Sequence, residues 1–278
     1  MVSVIIAAHN EAAVLGRTLD TLLADAPGAQ VIVVANGCSD DTSGVARSRS
    51  GVDVIRVSPG SKPLALNTGD IAADSFPRIF LDADISVPKG TVDRLVTALE
   101  TPGIMAAGPS RKLNVSGRPW PVASHAAIHS RLPAFRQGLF GRGMIAISEE
   151  GRARFEEFPN MVADDLFLDS LFAPHEKILV EESRVVVEAP ATTKDLVRRL
   201  VRVRRGSTAM RRAGRQGLLP IRPRPSDAWS WIRDVVAKDA KLLPAGVVYA
   251  ALTAYSGILA SHGPVDSMDW GRGESARP

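Results

Sequence analysis

The fold is decided near the start of the chain, where residues 2–37 read VSVIIAAHNEAAVLGRTLDTLLADAPGAQVIVVANG. The segment opens with a continuous apolar run rich in β-branched residues, as in a strand buried on both faces. Apolar residues then recur at helical spacing as far as Pro27-Gly28, where the helix is expected to end. A second apolar run at 30–35 completes a strand–helix–strand unit. Such units place their strands in parallel with a right-handed crossover.

The same alternation continues downstream and predicts an α/β fold with a mostly parallel central sheet flanked by helices. Strands are predicted at 52–57, 78–85 and 104–107, and helices at 63–73 and from 88 onward. A helix over 41–49 is expected to be capped by Ser39 or Asp40. Beyond residue 109 the pattern weakens, but it still predicts strands at 144–148 and 178–189 and helices at 149–157 and 164–172. An Arg-rich helix broken near Gly206 follows.

The predicted domain organisation is one large domain at 1–219 followed by an appendage at 220–278. The domain divides into a first half at about 1–113 and a second half at about 114–219. Three prolines within 220–225 (PIRPRP) indicate a linker. Residues 242–260 carry no charge and predict a helix that would barely cross a bilayer. Two interpretations stay open: packing on the chain's own domain, or peripheral membrane contact through 229–260.

Composition excludes several classes of protein. The chain has 278 residues, of which 45% are apolar and 23% charged, so it is neither disordered nor a disulfide scaffold. A single cysteine, Cys38, excludes an internal disulfide and a Cys-rich zinc site, and no nearby His would activate it as a nucleophile. Met1 leads directly into the first strand without a targeting signal, which favours a cytoplasmic location.

The net charge of +4 is unevenly distributed. Residues 194–224 hold ten Arg and Lys194 against Asp195, a balance of +10, so the remaining residues carry −6. Arginine suits bidentate phosphate recognition, and the partner of this segment could be nucleic acid, an anionic lipid or a diphosphate. The segment has no aromatic residue for base stacking, which counts against single-stranded nucleic acid.

Pairs of acidic residues lie at the ends of two predicted elements, one at the end of a strand and one at the start of a helix. Asp82 and Asp84 end the fourth strand, and alternation would point both to one face. Ligands of open α/β sheets bind at this edge, so the pair is either a hard-oxygen site for Mg²⁺ or Mn²⁺ or a turn whose carboxylates accept backbone N–H bonds. Asp164 and Asp165 open a helix about 100° apart, so they cannot share one role. Complementing the helix dipole is the alternative for them.

Polar residues also follow the first two strands. Asn36 to Thr42 and His9 to Glu11 lie at the same predicted edge, where they would contact a nucleotide or cap the helices that follow. His125 and His129 are four residues apart, as on one helix face, but spacing offers no third metal ligand. We therefore expect this pair to pack or to contact an acceptor.

Taken together, the motifs resemble the inverting, nucleotide-sugar-dependent glycosyltransferases of family 2, which have a GT-A (Rossmann-like) fold. The matching segments span roughly residues 2–210 and are VIIAAHNEA, VVANGCSDDT, SKPLALNTG, FLDAD, FGRGMIAIS, VADDLFL and RLVRVRRG. The C-terminal segment WGRGESAR more faintly resembles bacterial members linked to surface polysaccharide or glycolipid assembly. No aromatic residue accompanies the late Arg motif, which argues against a processive, cellulose-type synthase.

The resemblance implies a role for each matching residue. Asp165 becomes the general base, with Asp164 as the preceding acid, and Asp84 becomes the direct ligand of Mg²⁺ or Mn²⁺. Asn36 takes the place of an Asp that usually contacts the base of the nucleotide. The remaining donor-site residues implied in this way are Ala7, His9, Glu11, Lys62, Asp82, Arg202 and Arg205.

The implied function is metal-assisted transfer of a sugar, with inversion, from a UDP- or GDP-type donor to a hydroxyl on a saccharide or lipid-linked acceptor. The resemblance also makes the first half of the domain, about 1–113, the donor-binding half and the second half, about 114–219, the acceptor half. Two alternatives are considered. A sugar-phosphate nucleotidyltransferase would share the architecture, but it needs a Gly-rich loop where this chain has AHNEA. A non-enzymatic basic adaptor would bind nucleic acid or anionic membrane through 194–224. We expect no nucleic-acid partner.

Overall fold

The computed structural model describes residues 1–161, 163–221 and 223–262. The WGRGESAR segment lies outside the described residues. The strands are β1 Ser3–Ala8, β2 Gln30–Asn36, β3 Val52–Val57, β4 Arg78–Asp82, β5 Ala106–Asn114, β6 Met144–Ile147 and β7 Lys177–Glu188. The helices are α1 Ala12–Asp25, α2 Thr42–Arg47, α3 Lys62–Ile71, α4 Thr91–Leu99, α5 Trp120–His129, α6 Pro133–Gln137, α7 Glu149–Arg152, α8 Asp164–Leu171, α9 Thr193–Arg215 and α10 Leu243–Ser261.

The strands form one sheet in the order β3-β2-β1-β4-β6-β5-β7, and this confirms the predicted mostly parallel architecture. β6 is the exception, because it runs antiparallel to both β4 and β5. The carboxyl ends of β1, β2, β4 and β5 therefore meet at one edge. Both faces of the sheet are covered, as the continuous apolar runs predicted. Val4 and Ile6 of β1 face one core cluster, whereas Ile5 faces the other.

The acceptor half departs most from the sequence prediction. β5 was expected to end at Ala107, but it runs on to Asn114 because β7 pairs with it along its whole length. The register shifts between Pro109 and Ser110, where their partners jump from Val180 to Arg184. Pro and Gly made this segment read as a loop. Beyond Ala107, however, β5 pairs with β7 alone among the described strands, the pairing contains a bulge, and a strand in this situation accommodates both residue types.

The Arg-rich helix α9 is continuous through Gly206, so the predicted break is wrong. A glycine within a helix costs only about 1 kcal/mol relative to alanine. Gly206 is buried, and it lies on the side of α9 that also buries Met210 and Ala213. The packing of this face keeps the helix intact.

The C-terminal appendage is attached to the domain by α10, which packs on α5 and α9. Gly246 and Ser256 of α10 are buried, whereas Leu243, Val247 and Ile258 are exposed. Arg204 of α9 donates from Nη1 to the carbonyl of Thr253 at 2.7 Å. Within the described part of the chain, Ala240–Ser261 is long and apolar enough to cross a membrane by length and composition. One side of α10 is thus fixed to the protein and the other faces outward.

Candidate active site

The centre of the site is a cluster of charged side chains brought together by β4, α3 and α8. Lys62 opens α3 and places its Nζ 3.0 Å from Oδ1 of Asp82 and 2.9 Å from Oδ2 of Asp164. Ser61 caps α3, and Oδ1 of Asn36 accepts the backbone N–H of Ser61 at 2.8 Å. The second strand therefore fixes the start of the helix that carries Lys62. The sequence prediction did not anticipate that Lys62 would bridge two carboxylates.

Asp165 points away from Asp164, as their positions on a helix require. Its Oδ2 accepts the backbone N–H of Gly141 at 2.8 Å, and its Oδ1 accepts the N–H of Leu166 at 2.7 Å. Burial first, and then the neighbouring carboxylates of Asp164 and Asp82, raise the pKa of Asp165 to about 6 against the opposing effect of Lys62 and the Gly141 hydrogen bond. A carboxylate with such a pKa is suited to accept a proton near neutral pH.

The backbone before Asp164 is in an unusual conformation. Ala163 has φ of 107° and stands at the N-terminus of α8. A positive φ is uncommon for a residue with a side chain, and such strain concentrates at functional sites. Asn10, after β1, is the other described non-glycine residue with positive φ, at 53°. Both residues lie beside predicted site residues.

The prediction that β4 continues to Ile85 is wrong, because the strand ends at Asp82 and a turn carries Asp84. The amide of Ile85 bonds to the carbonyl of Asp82 in this turn. Strand alternation therefore does not orient the two carboxylates. The alternation of burial nevertheless continues, since Ala83 and Ile85 are buried while Asp82 and Asp84 are partly exposed.

The acidic residues fit a divalent cation only if other ligands complete its coordination. Among residues 1–161, 163–221 and 223–262, no group of three His, Cys, Asp or Glu side chains is arranged to hold a metal. Asp82 is held by Lys62, and Asp84 contributes a second carboxylate at the same strand end. Mg²⁺ and Mn²⁺ are commonly held by one or two carboxylates together with phosphate oxygens and water. The residues present suit that arrangement.

The ends of β1 and β2 form one connected loop cluster. Nδ1 of His9 lies 2.6 Å from the carbonyl oxygen of Asn36, and Oδ1 of Asn10 accepts the N–H of Ser39 at 2.8 Å. Asn36 is fully buried, and its Nδ2 atom has no hydrogen-bond partner among the residues that the structure describes. Ala7 is buried at the end of β1, opposite Asp82 of β4. These predicted donor-site residues therefore lie together at the carboxyl ends of β1 and β2.

Helix capping at this cluster differs from the prediction. Asp41, rather than Ser39 or Asp40, is the N-cap of α2, and its side chain accepts the N–H of Gly44. Asp40 instead ties the two loops together by accepting the N–H of Ala12 at 3.0 Å. Glu11 stands at the N-cap position of α1 without a side-chain capping bond. Capping thus does not account for Glu11.

Arg205, in the Arg motif of α9, contacts the end of α10. Arg205 donates to the carbonyls of Leu259 and Ala260, at 3.3 Å and 3.4 Å, in the last turn of α10. Arg202 lies one turn earlier on the same helix. A contact of either arginine with a diphosphate stays a prediction.

Sequence reasoning missed two arginines on the acceptor side. Arg111 of β5 donates from Nη1 to the carbonyl of Gly141 at 2.7 Å. Arg142 is buried and donates to the carbonyls of Gly138, Pro109 and Phe135. Burial lowers the pKa of each guanidinium to about 10. The FGRG segment contains Arg142 and was the available signal, whereas Arg111 lay in a stretch read as irregular.

His125 and His129 form a stacked aromatic cluster, as the packing interpretation predicts. Their rings lie 5.2 Å apart, and His125 also stacks on Tyr249 of α10 at 5.0 Å. Burial lowers the pKa of His125 to about 4 and that of His129 well below its ordinary value. Both rings are therefore neutral at physiological pH, and they join α5 to α10.

The comparisons with known proteins agree with this geometry. The model of glycosyl transferase family 2 matches residues 3–155, which is more than half of the chain. The chain therefore belongs to glycosyl transferase family 2. It is a glycosyltransferase, which excludes the adaptor and nucleotidyltransferase alternatives. A search of curated proteins gives no significant sequence match.

Three solved structures illustrate the shared GT-A fold. The mannosyltransferase PcManGT from Pyrobaculum calidifontis, in complex with GDP-Man and Mn²⁺, has a TM-score of 0.60 at 18% identity, covering 95% of this chain and 76% of that one. S. aureus TarS 1-349 in complex with UDP has a TM-score of 0.52 at 14% identity, covering 72% and 63%. Glucosyl-3-phosphoglycerate synthase from Mycobacterium tuberculosis, with Mn²⁺, UDP-Glc and phosphoglyceric acid, has a TM-score of 0.50 at 21% identity, covering 66% and 71%.

Proposed function

We propose that the protein transfers a sugar from a UDP- or GDP-type donor to a hydroxyl acceptor with inversion at the anomeric carbon. The observation that carries the proposal is Asp165, a carboxylate with a pKa of about 6 that follows Asp164 of the Lys62–Asp82–Asp164 cluster and is held by the backbone N–H of Gly141. It has the protonation behaviour of a general base and lies at the edge where α/β sheets bind ligands. The family and the nucleotide-sugar complexes of its structural relatives support a donor of this class.

The chain's own residues supply most of the proposed mechanism. His9, Asn36 and the loop that follows β2 hold the nucleoside, and Lys62 orients Asp82 beneath the diphosphate. Asp84 would hold a divalent cation, which would neutralise negative charge on the leaving nucleoside diphosphate. Asp165 removes the proton from the acceptor hydroxyl while that oxygen attacks the anomeric carbon. A single displacement inverts the configuration there.

Arg202 and Arg205 are proposed to add positive charge on the diphosphate side. Electrostatic groups aimed at the developing negative charge stabilise the transition state of such a transfer. Because Arg205 is seen with its guanidinium on α10, this role requires its side chain to turn toward the donor. It therefore ranks below the roles of Asp165 and Asp84 in the proposal.

A cytoplasmic location with peripheral contact on the inner face of the membrane is the second part of the proposal. The exposed side of α10 is apolar, and Trp229, Lys238 and Lys241 lie just before it. This combination is typical of helices at a membrane interface. The acceptor would then be a saccharide or lipid-linked molecule used in surface polysaccharide or glycolipid synthesis.

The test is a screen of UDP-, GDP- and dTDP-sugars for hydrolysis and thermal stabilisation, with and without Mg²⁺ or Mn²⁺. We expect one donor class to stabilise the protein and to be turned over with metal. With that donor, Asp165→Asn should lower transfer by about 10²–10⁴-fold while donor affinity is retained, because the amide cannot accept the proton.

The matched control is Asp93→Asn, which removes an exposed carboxylate from α4 and should leave transfer unchanged. Loss of donor affinity in Asp165→Asn would contradict the assignment of Asp165 as the base. Turnover unaffected by Asp84→Ala would contradict the metal assignment.

A further inference from the structure

A cleft lies in the acceptor half of the domain. It has a volume of about 520 Å³ and opens between the distal part of β5, α5 and the bulge of β7. Its floor is formed by Ser110 and Leu113 of β5, and Ala123 and Ala127 of α5 form one wall. A cleft of this size accommodates a group as large as a phosphorylated sugar or a lipid headgroup.

The cleft is strongly basic. Four cationic residues line it, Arg111, Lys112, Arg131 and Arg184, against a single acidic residue, Glu181. Arg131 donates from Nη1 to the carbonyl of Ala127 at 2.7 Å. Among the described residues, the side chains of Lys112 and Arg184 form no hydrogen bond or ion pair. Cations of like charge repel one another, so such a cluster favours an anion that neutralises it.

The β7 bulge places these cations around the cleft. Pro109 pairs with Val180 and Ser110 with Arg184, so residues 181–183 are extra in β7. The Ser110 hydroxyl lies 3.2 Å and 3.1 Å from the carbonyl oxygens of Glu181 and Ser183 and holds the bulge in place. Bulges re-aim side chains beside functional sites, and this one brings Arg184 into the cleft wall.

One residue, Gly141, connects the cleft to the proposed catalytic carboxylate. Arg111, which lines the cleft, donates to the carbonyl of Gly141. The backbone N–H of Gly141 in turn donates to Oδ2 of Asp165. If the anionic group of an acceptor lies among the four cations, the acceptor groups beside that anion would therefore lie next to Asp165. The cleft is thus placed for the acceptor rather than the donor, whose proposed site is at the ends of β1, β2 and β4.

We propose that this cleft binds a phosphate group of the acceptor and so selects phosphate-bearing acceptors. The inference rests on the proposed glycosyltransferase function, and it assigns the substrate class of the acceptor. Lys112, Arg131 and Arg184 supply charge-assisted hydrogen bonds to phosphate oxygens, and Arg111 links the occupied cleft to the loop that holds Asp165. The phosphate can belong to a soluble ester or to a lipid headgroup.

The test measures phosphate binding by the full chain. Glycerol 3-phosphate in solution and phosphatidylcholine vesicles with or without phosphatidic acid are the probes, followed by calorimetry and vesicle flotation. We expect wild-type protein to bind at least one phosphate probe and Lys112→Gln/Arg184→Gln to bind it at least about tenfold more weakly, since two charge-assisted bonds are lost. Lys112→Arg/Arg184→Lys should restore binding.

The matched control is Arg17→Gln/Arg47→Gln, which removes two exposed arginines from α1 and α2 at the opposite end of the sheet. It should bind the probes like the wild type. Equal binding by Lys112→Gln/Arg184→Gln and wild type, equal losses in both double variants, or no binding of either probe by the wild type would overturn the proposal. Binding of glycerol 3-phosphate indicates a soluble source, and binding confined to phosphatidic acid vesicles indicates a headgroup.

Failure of the proposed function gives a different result. Donor hydrolysis by the wild-type protein reports on the donor site and needs no acceptor. If no nucleotide sugar is hydrolysed or stabilises the protein while Lys112 and Arg184 still govern phosphate binding, the glycosyl-transfer proposal fails and the anion site stands. If a nucleotide sugar is turned over but neither phosphate probe binds, the glycosyl-transfer proposal stands and the phosphate-site proposal fails.

Discussion

At the scale of single residues, the site depends on how one lysine distributes its charge among three carboxylates. Lys62 contacts Asp82 and Asp164 directly and also lowers the pKa of Asp165, which burial and the other two carboxylates raise to about 6. The ionisation of Asp165 therefore depends on the charges of Lys62, Asp82 and Asp164. Removing Lys62 leaves the three carboxylates to repel one another across the cluster.

The pH profile of the enzyme should report this coupling. A general base works when deprotonated, so kcat/KM of the wild type should fall as the pH drops through about 6. In Lys62→Gln the fall should begin at a higher pH, because the cation that lowers the pKa of Asp165 is gone. The measurement is kcat/KM against pH with the donor found in the screen.

Lys89→Gln, which removes an exposed lysine before α4, is the control and should keep the wild-type profile. The position of the inflection is the decisive quantity, since Lys62→Gln will also lower the overall rate. An identical inflection in Lys62→Gln and wild type would refute the coupling, and an inflection near pH 4 in the wild type would refute the raised pKa.

At the scale of elements, the first half of the fold was predictable because its elements are local. The apolar runs that became β1 and β2 are buried on both faces, and such runs are readable from the sequence alone. β5 and α9 were misread for the opposite reason. β5 continues beyond Ala107 because β7 pairs with it, and α9 passes Gly206 because that glycine is packed. Both depend on tertiary contacts that no local pattern encodes.

The site was predictable to a similar degree. Asp82 ends a strand whose carboxyl end lies at the ligand-binding edge, so its position alone placed it there, whereas Lys62 and Asp165 were assigned through the family resemblance. The bridge from Lys62 to Asp164 and the contact from Arg111 to Gly141 join segments about 100 and 30 residues apart. Such pairings depend on loop geometry, which spacing cannot reveal.

The loops at this edge should be sensitive to a single added carbon. Gly37 has φ of 58°, and a Cβ there would lie 2.6 Å from the backbone N and Cα of Gly60. Gly51 has φ of 79°, but a Cβ there meets nothing within 4 Å. Gly51→Ala should lower the free energy of unfolding by about 1–2 kcal/mol through φ alone.

Gly37→Ala should lower the free energy of unfolding by about 1–3 kcal/mol more, because its Cβ also meets backbone that cannot move aside cheaply. Denaturant unfolding of the two variants and the wild type gives both values. Equal losses in the two variants would show that the Gly37–Gly60 approach is not tight.

At the scale of the whole molecule, the charge and the apolar surface are segregated. The segment 194–224 carries +10 and the rest of the chain −6. Some of these arginines have structural roles, since Arg204 and Arg205 hold α10 and Arg211 donates to the carbonyl of Arg224. Arg212 and Arg215 are exposed. The basic helix thus fixes the apolar helix on one side and presents charge to solvent on the other.

This arrangement predicts a membrane contact with two separable components. The outer side of α10 exposes Val247 and Ile258 by 59% and 58%, and Val247→Glu/Ile258→Glu should reduce binding to anionic vesicles at least about tenfold. Ile71→Glu places the same change at a residue that is 85% exposed on α3, and it should bind like the wild type. Flotation with phosphatidylglycerol–phosphatidylcholine vesicles measures both.

Salt separates the two components. Attraction between exposed arginines and anionic lipid is screened between about 0.1 M and about 0.5 M salt, whereas apolar burial is not. The wild type should therefore lose part of its binding at high salt and keep the rest, and Val247→Glu/Ile258→Glu should lose the part that salt leaves. If this variant floats with vesicles as well as the wild type at both salt concentrations, α10 packs against the domain alone and the membrane contact is wrong.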